Sequence, residues 1–144
     1  LPISLMTLLT LDQYFGPWRN HPDATKPRRD NALRLLAAVE KLAAQAVAEG
    51  VVFRVNPKTG SVVSGQQYGG FRPQSCREGA PSSAHKEGLA VDLYDPIGMI
   101  DDWCSRNLDK LATCGIYIEH WTVTAGWSHW TTRAPKSGRR AFYP

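Results

Sequence analysis

Cysteine is scarce in this chain and poorly spaced for a structural framework. The three residues, Cys76, Cys104 and Cys114, form no CxxC pair, and any disulfide scheme leaves one thiol over. Cys104 and Cys114 flank a helical stretch and read as reduced core residues, whereas Cys76 lies in a loop and is held open as an alternative metal ligand. Internal repeats, low-complexity tracts and linkers are also missing, so the 144 residues are expected to form one domain spanning 1–144. No apolar run is long enough to cross a bilayer. Leu1 to Leu11 is apolar but lacks a basic leader and a small-residue cleavage site, which makes it a poor signal peptide. A strong charge bias is lacking too. The balance of 17 Lys and Arg against 13 Asp and Glu gives +4, too weak to argue for nucleic acid but suited to an anionic polymer such as a bacterial envelope. Arg133, Lys136, Arg139 and Arg140 cluster near the end, as a solvated charged tail or a substrate-attracting patch.

The pattern that is present points to an α+β domain. Thr10 precedes a short helix that Gly16-Pro17 stops, and Trp18 to Pro27 reads as loop. From Asp30 to Glu49, Leu33, Leu36, Val39, Ala43 and Val47 recur at helical spacing, with Gly50 as the stop. Val51 to Val55 reads as a strand turning through Asn56 to Gly60, and Tyr68 to Arg72 as a strand edge before a loop with Pro73, Gly79 and Pro81. Leu89 to Tyr94 is the expected central strand. Ile97 to Thr113 is a second helix with Ile100, Trp103, Leu108 and Leu111 inward. Ile116 to Trp121 and Trp127 to Thr132 form a hairpin across a Thr-Ala-Gly turn.

One stretch carries more chemistry than the rest. Ser83-Ala84-His85-Lys86-Glu87-Gly88-Leu89-Ala90-Val91-Asp92 places a carboxylate inside an apolar strand, where it is costly unless something positive meets it. A metal ion would meet it. His85, from the preceding loop, and His129, in Trp127-Ser128-His129-Trp130, would complete three protein ligands and leave a position for water, the arrangement of a catalytic zinc site. A lone His near a strand is otherwise a satisfied polar residue. Asp95, Asp101 and Asp102 read as turn and helix N-terminal carboxylates, Glu87 as a solvated charge and His21 as a surface residue. Trp121, Trp127 and Trp130 surround the candidate site, as core or as groove walls.

Gly70-Phe71-Arg72-Pro73, then Ser83-x-His85-x-x-Gly88-x-Ala90-x-Asp92 and Trp127-x-His129, resembles the zinc D-Ala-D-Ala carboxypeptidase and peptidoglycan endopeptidase family. The likeness runs from about Tyr68 to Trp130, and the block from Ser83 to Asp92 matches at every defining position. It implies the Hedgehog/DD-peptidase fold: a small, mainly antiparallel sheet, helices on one side and a zinc cleft on the other. It implies Zn2+ as cofactor, His85, Asp92 and His129 as ligands, Arg72 at the scissile carbonyl, and Ser83 supporting the loop. The family's base, which just precedes its last His, has no counterpart, since Gly126 and Trp127 occupy those places. Glu119 is the first candidate for that role, with His120 as the alternative, because hairpin pairing would bring this segment across from His129.

The function expected from the resemblance is a zinc metallopeptidase that hydrolyses peptidoglycan stem peptides or cross-links, as carboxypeptidase or endopeptidase. A peptidoglycan peptide is the expected partner, with no nucleic acid, no membrane span and a monomeric chain. The expected place of action is the bacterial cell wall or periplasm, reached by release through a phage holin or similar route, as for a phage endolysin. A non-catalytic zinc-containing binding domain of the same fold is the first alternative, and a basic nucleic-acid-binding domain, for which no motif is found, the second.

Overall fold

The computed structural model describes residues 7–65, 67–78 and 83–144. Gly79 and Pro81 of the expected loop, and the first six residues of the apolar amino-terminal stretch, lie outside them. The architecture is α+β, with four helices and a mixed four-stranded sheet among the described residues.

Helix α1 (Leu11–Phe15) starts at Thr10 through a capping box with Gln13 and ends at Gly16. Helix α2 (Lys26–Ala48) begins four residues before the expected Asp30. Pro27 stands in its first turn, where a missing N–H removes no helical bond. Its inward face is Ala32, Leu35, Leu36, Val39, Leu42, Ala43 and Ala46, while Leu33 is 54% exposed and Val47 is not fully buried. The expected single helix from Ile97 to Thr113 is two, α3 (Met99–Ser105) and α4 (Leu108–Cys114). Asn107 causes the break: its side-chain amide donates to the Trp103 carbonyl and its backbone N–H to that of Cys104. Ile100, Trp103 and Leu111 are buried as expected, with Leu108 packed partly against them.

The sheet runs β1 (Ala90–Asp95), β3 (Gly126–Thr131), β2 (Tyr117–Glu119), β4 (Ala141–Phe142). The first two pairings are antiparallel and β2–β4 is parallel. The expected hairpin of β2 and β3 forms, although a 3-10 turn at Trp121–Val123 makes the connection. Strand β1 is not central; it ends the ladder. Its outer edge is covered by Val62, Ser64 and Gly69, through Tyr94 N to Val62 O, Ser64 N to Asp92 O and Asp92 N to Gly69 O. Val51 to Val55 forms no strand: Val51 N donates to Ala46 O at the end of α2 and Val52 N to Met99 Sδ, and Val52 and Val55 stay exposed. Tyr68 to Arg72, expected as a strand edge, begins in turn and bend and forms no strand; its backbone bonds go to β1, to helix α1 and to His85.

Alternation divides the sheet into two faces. Val91, Leu93, Ile118 and Trp130 point into a core shared with α2, α3 and α4. Asp92, Glu119 and His129 point the other way, into a cleft. Cys104 is buried in the core, Cys114 and Cys76 are partly buried, and all three thiols are free.

The acidic residues after β1 serve α3. Asp95 accepts from Ile100 N and Asp101 N, each at 2.9 Å. Asp102 pairs with Arg106. Asp101 is buried and accepts the Thr124 hydroxyl at 2.6 Å. Burial pushes its carboxyl above the ordinary range, against the lowering effect of the Ser128 and Thr124 hydroxyls. The folded chain thus favours protonated Asp101, and the stability this gives at low pH is lost as pH rises through the raised pKa. Asp101→Asn keeps an acceptor for Thr124 and carries no charge. Its melting temperature relative to the parent should therefore be more favourable at pH 7 than at pH 3.5; an equal difference at both would show that Asp101 is not destabilised by ionising.

Candidate metal centre

Each motif glycine has a steric reason. Gly88 closes the 3-10 turn Ala84–Glu87 with φ +74°, and a Cβ there would meet the Arg28 carbonyl of α2 at 2.4 Å. Ser83 caps the same turn by accepting from His85 N at 3.3 Å, so it supports the loop. Ala90 is fully buried beneath Tyr14, whose hydroxyl donates to the Ala90 carbonyl at 2.8 Å. At Gly70 a Cβ would come within 2.0 Å of the Tyr14 carbonyl. Bareness is required there because helix α1 lies directly against the loop.

The segment Gly69 to Arg72 ties the site together. Gly69 O accepts from Asp92 N, Phe71 N donates to Tyr14 O, and Arg72 N donates to His85 O. The Gly70 carbonyl lies 2.8 Å from His85 Nδ1. A carbonyl can only accept, so Nδ1 carries the proton and Nε2 presents its lone pair. This is the outer-shell contact that fixes the tautomer of a metal-binding His.

Strand register supplies the rest. Asp92 directs both backbone groups to the outer segment, which makes Asp92–His129 a non-hydrogen-bonded pair in β1–β3. Such pairs bring side chains closest. His129 Nδ1 lies 2.7 Å from Asp92 Oδ1, and His85 Nε2 lies 3.4 Å from Asp92 Oδ2. One donor atom from each of His85, Asp92 and His129 falls within 4.8 Å of the others, a group able to hold a metal ion. Cys76 is not part of it. On the other side of β3, Tyr117 pairs with Thr131 and Ile118 with Trp130, so Glu119 falls opposite His129. Its Oε2 is 3.9 Å from His129 Nδ1. Phe142, paired with Glu119, extends the row, its ring 6.1 Å from that of His129.

Burial and charge set the ionisation. Desolvation pulls the His85 imidazole below its ordinary pKa despite the pull of Asp92 in the other direction, which favours the neutral ligand form. Burial works to raise the Asp92 carboxyl, but the charges and hydrogen bonds of His85 and His129 outweigh it and hold Asp92 ionised well below the usual range. Arg72 lies 3.4 Å from Asp92 Oδ2, with its Nε donating to the Tyr68 carbonyl at 2.6 Å. Burial raises the Glu119 carboxyl, partly offset by His129.

All five residues line one cleft of about 600 Å³, together with Trp127, Thr131, Arg133 and Phe142. Of the two base candidates, only Glu119 lines it. His120 faces elsewhere, stacked between Trp121 and Tyr143 and bonded to Thr122. Trp127 walls the cleft and Trp130 is core. Glu87 pairs with Arg28, and His21 packs edge-on to Trp18 near Asp23. The Gly70 carbonyl was not foreseeable from side-chain chemistry. Thr131 was, since it continues the period of two from Trp127 and His129 along β3; Arg133 lies in a bend past the strand's end.

The role of the Gly70 carbonyl is testable. Gly70→Ala must displace either α1 or the loop, and metal affinity should fall about 10–100-fold as His85 loses its orientation. Competition titration against a chromophoric chelator measures this, and unchanged affinity would remove Gly70 from the site.

Comparison of the chain with protein-family models, with curated proteins and with solved structures finds no match.

Proposed function

We propose that this chain is a zinc metallopeptidase of the Hedgehog/DD-peptidase fold acting on peptidoglycan peptides. The observation that carries the reading is the row Asp92–His129–Glu119 across three strands, with His85 closing the metal group at one end. Two imidazoles and one carboxylate, largely buried, suit zinc in its three-ligand catalytic form. The resemblance of Ser83 to Asp92 supplies the substrate class.

His85, Asp92 and His129 would hold the ion. Zinc, when bound, supplies a Lewis acid that polarises a peptide carbonyl and acidifies water. Glu119 Oε2, beside His129 in a partly dry cleft, is placed to accept the proton of the attacking water and to return it to the leaving amine. Arg72 lines the same cleft, and its guanidinium is placed to hold the carbonyl oxygen as negative charge develops. Phe142, Trp127 and Pro135 supply apolar lining to the same cleft. Glu119 answers the lack of a base before His129: the acceptor comes from the neighbouring strand.

Two experiments test this. His85→Ala and His129→Ala should each lower zinc in the purified chain well below one ion per molecule; full occupancy in either would mean that the ligands are misassigned. The zinc-loaded parent should release amino acids or peptide fragments from purified peptidoglycan, and Glu119→Gln should be slower by about 100-fold or more with zinc retained. A parent that binds zinc but releases no peptide fragments, by mass spectrometry, would favour the non-catalytic binding domain.

A further inference from the structure

The turn that carries His85 is tied to the loop that carries Arg72 at three places. The Gly70 carbonyl meets His85 Nδ1 at 2.8 Å, Arg72 N–H donates to the His85 carbonyl at 3.2 Å, and Lys86 Nζ donates to the Gln74 carbonyl at 3.2 Å. The first two belong to a candidate ligand and to backbone. The third is made by a side chain that neither the metal group nor proton transfer uses.

Lys86 is an unusual lysine, because it is only 3% exposed and its acceptor is a neutral carbonyl. A surface ammonium replaces a lost partner with water. One buried to this degree meets the full desolvation penalty if its bond opens, so the contact fixes the Gln74 carbonyl relative to the turn. Gln74 is held from its other side as well, its N–H donating to Asp23 Oδ2 at 2.8 Å. A single proline separates it from Arg72. Pro73 is buried, its ring locks φ, and it restricts Arg72 before it to extended backbone. Little rotation is left between 72 and 74, so a shift of Gln74 passes on to Arg72. The Arg72 side chain lines the cleft from that backbone, tethered by its Nε to the Tyr68 carbonyl at 2.6 Å.

We propose that Lys86 is a positioning residue: by holding Gln74 it sets the Arg72 backbone and aims the Arg72 guanidinium into the cleft. The turn that supplies a metal ligand and the loop that supplies a cation are thereby held as one unit. The task given to Arg72 rests on the peptidase reading, whereas the positioning itself does not.

The test is hydrogen exchange at Arg72 Nε–H, followed by NMR in the purified chain and assigned by its absence in Arg72→Gln. Lys86→Met keeps the length of the stem and removes the donor. In it the Arg72 proton should exchange about tenfold faster or more relative to the core amides of β1 and β3, with zinc content unchanged. Lys86→Arg, which keeps a donor, should restore much of the protection. If Lys86→Met does not fold, Asp23→Ala, made at a side chain 31% exposed, frees Gln74 from its other side and must show the same acceleration. Arg72 exchange that merely follows the core amides, in whichever variant folds, overturns the inference and leaves Lys86 a structural residue. Where the parent releases peptide, Lys86→Met should lower kcat about tenfold with KM little changed, and should add nothing in the Arg72→Gln background. A loss that adds fully in that background also overturns it. Selective exchange at Arg72 in a chain whose parent cleaves nothing would keep the positioning and reject the peptidase reading.

Discussion

The rest of the structure is organised around one buried charge. Asp92 sits on a strand whose neighbours Val91 and Leu93 are fully buried, and an isolated carboxylate there would be strongly disfavoured. Two imidazoles and a guanidinium converge on its oxygens, each from a different part of the chain. The imidazoles hold it ionised, and the three contacts together assemble the donor atoms of a group able to hold a metal and a cation facing the same cleft. The electrostatic need of one residue and the chemistry of the site are met by the same contacts.

Those contacts depend on backbone as much as on side chains. Gly69 to Arg72 forms no strand, yet its bonds reach β1, α1 and the turn carrying His85. Close approach of Tyr14 requires Gly70 to be bare. Helix α1 is short and far from the cleft in sequence, but it sets the position of the carbonyl that orients a ligand. The β2–β4 pairing then brings Phe142 to the end of the row.

Much of this was legible in the sequence. His85, Asp92 and His129 could be singled out because a carboxylate in an apolar run needs a partner and the spacing offers two, and register did bring them together. Glu119 over His120 followed from strand alternation. The errors have a common physical origin. Val51 to Val55 carries strand-forming residues, yet its first N–H groups go to α2 and to Met99, and the central-strand reading of β1 missed that Val62, Ser64 and Gly69 bond to its outer side. Local pattern reports propensity, whereas pairing depends on what else competes for an edge. The helix break at Asn107 was missed for a similar reason, since a side-chain bond to Trp103 interrupts an otherwise continuous apolar period.

The cross-sheet row has a consequence for fidelity of folding. Its members stand at positions 92, 119, 129 and 142, and no local structure brings them near one another. A slip of β3 by one residue would leave the strands paired but present Ser128 or Trp130 to Asp92 in place of His129. Such a misaligned sheet would bury a carboxylate without its imidazole and would lose a donor from the metal group. An ion taken up by this group would discriminate between alignments that backbone pairing alone tolerates, its free energy being added to the correct one only. A metal held there would act as a proofreader of strand register.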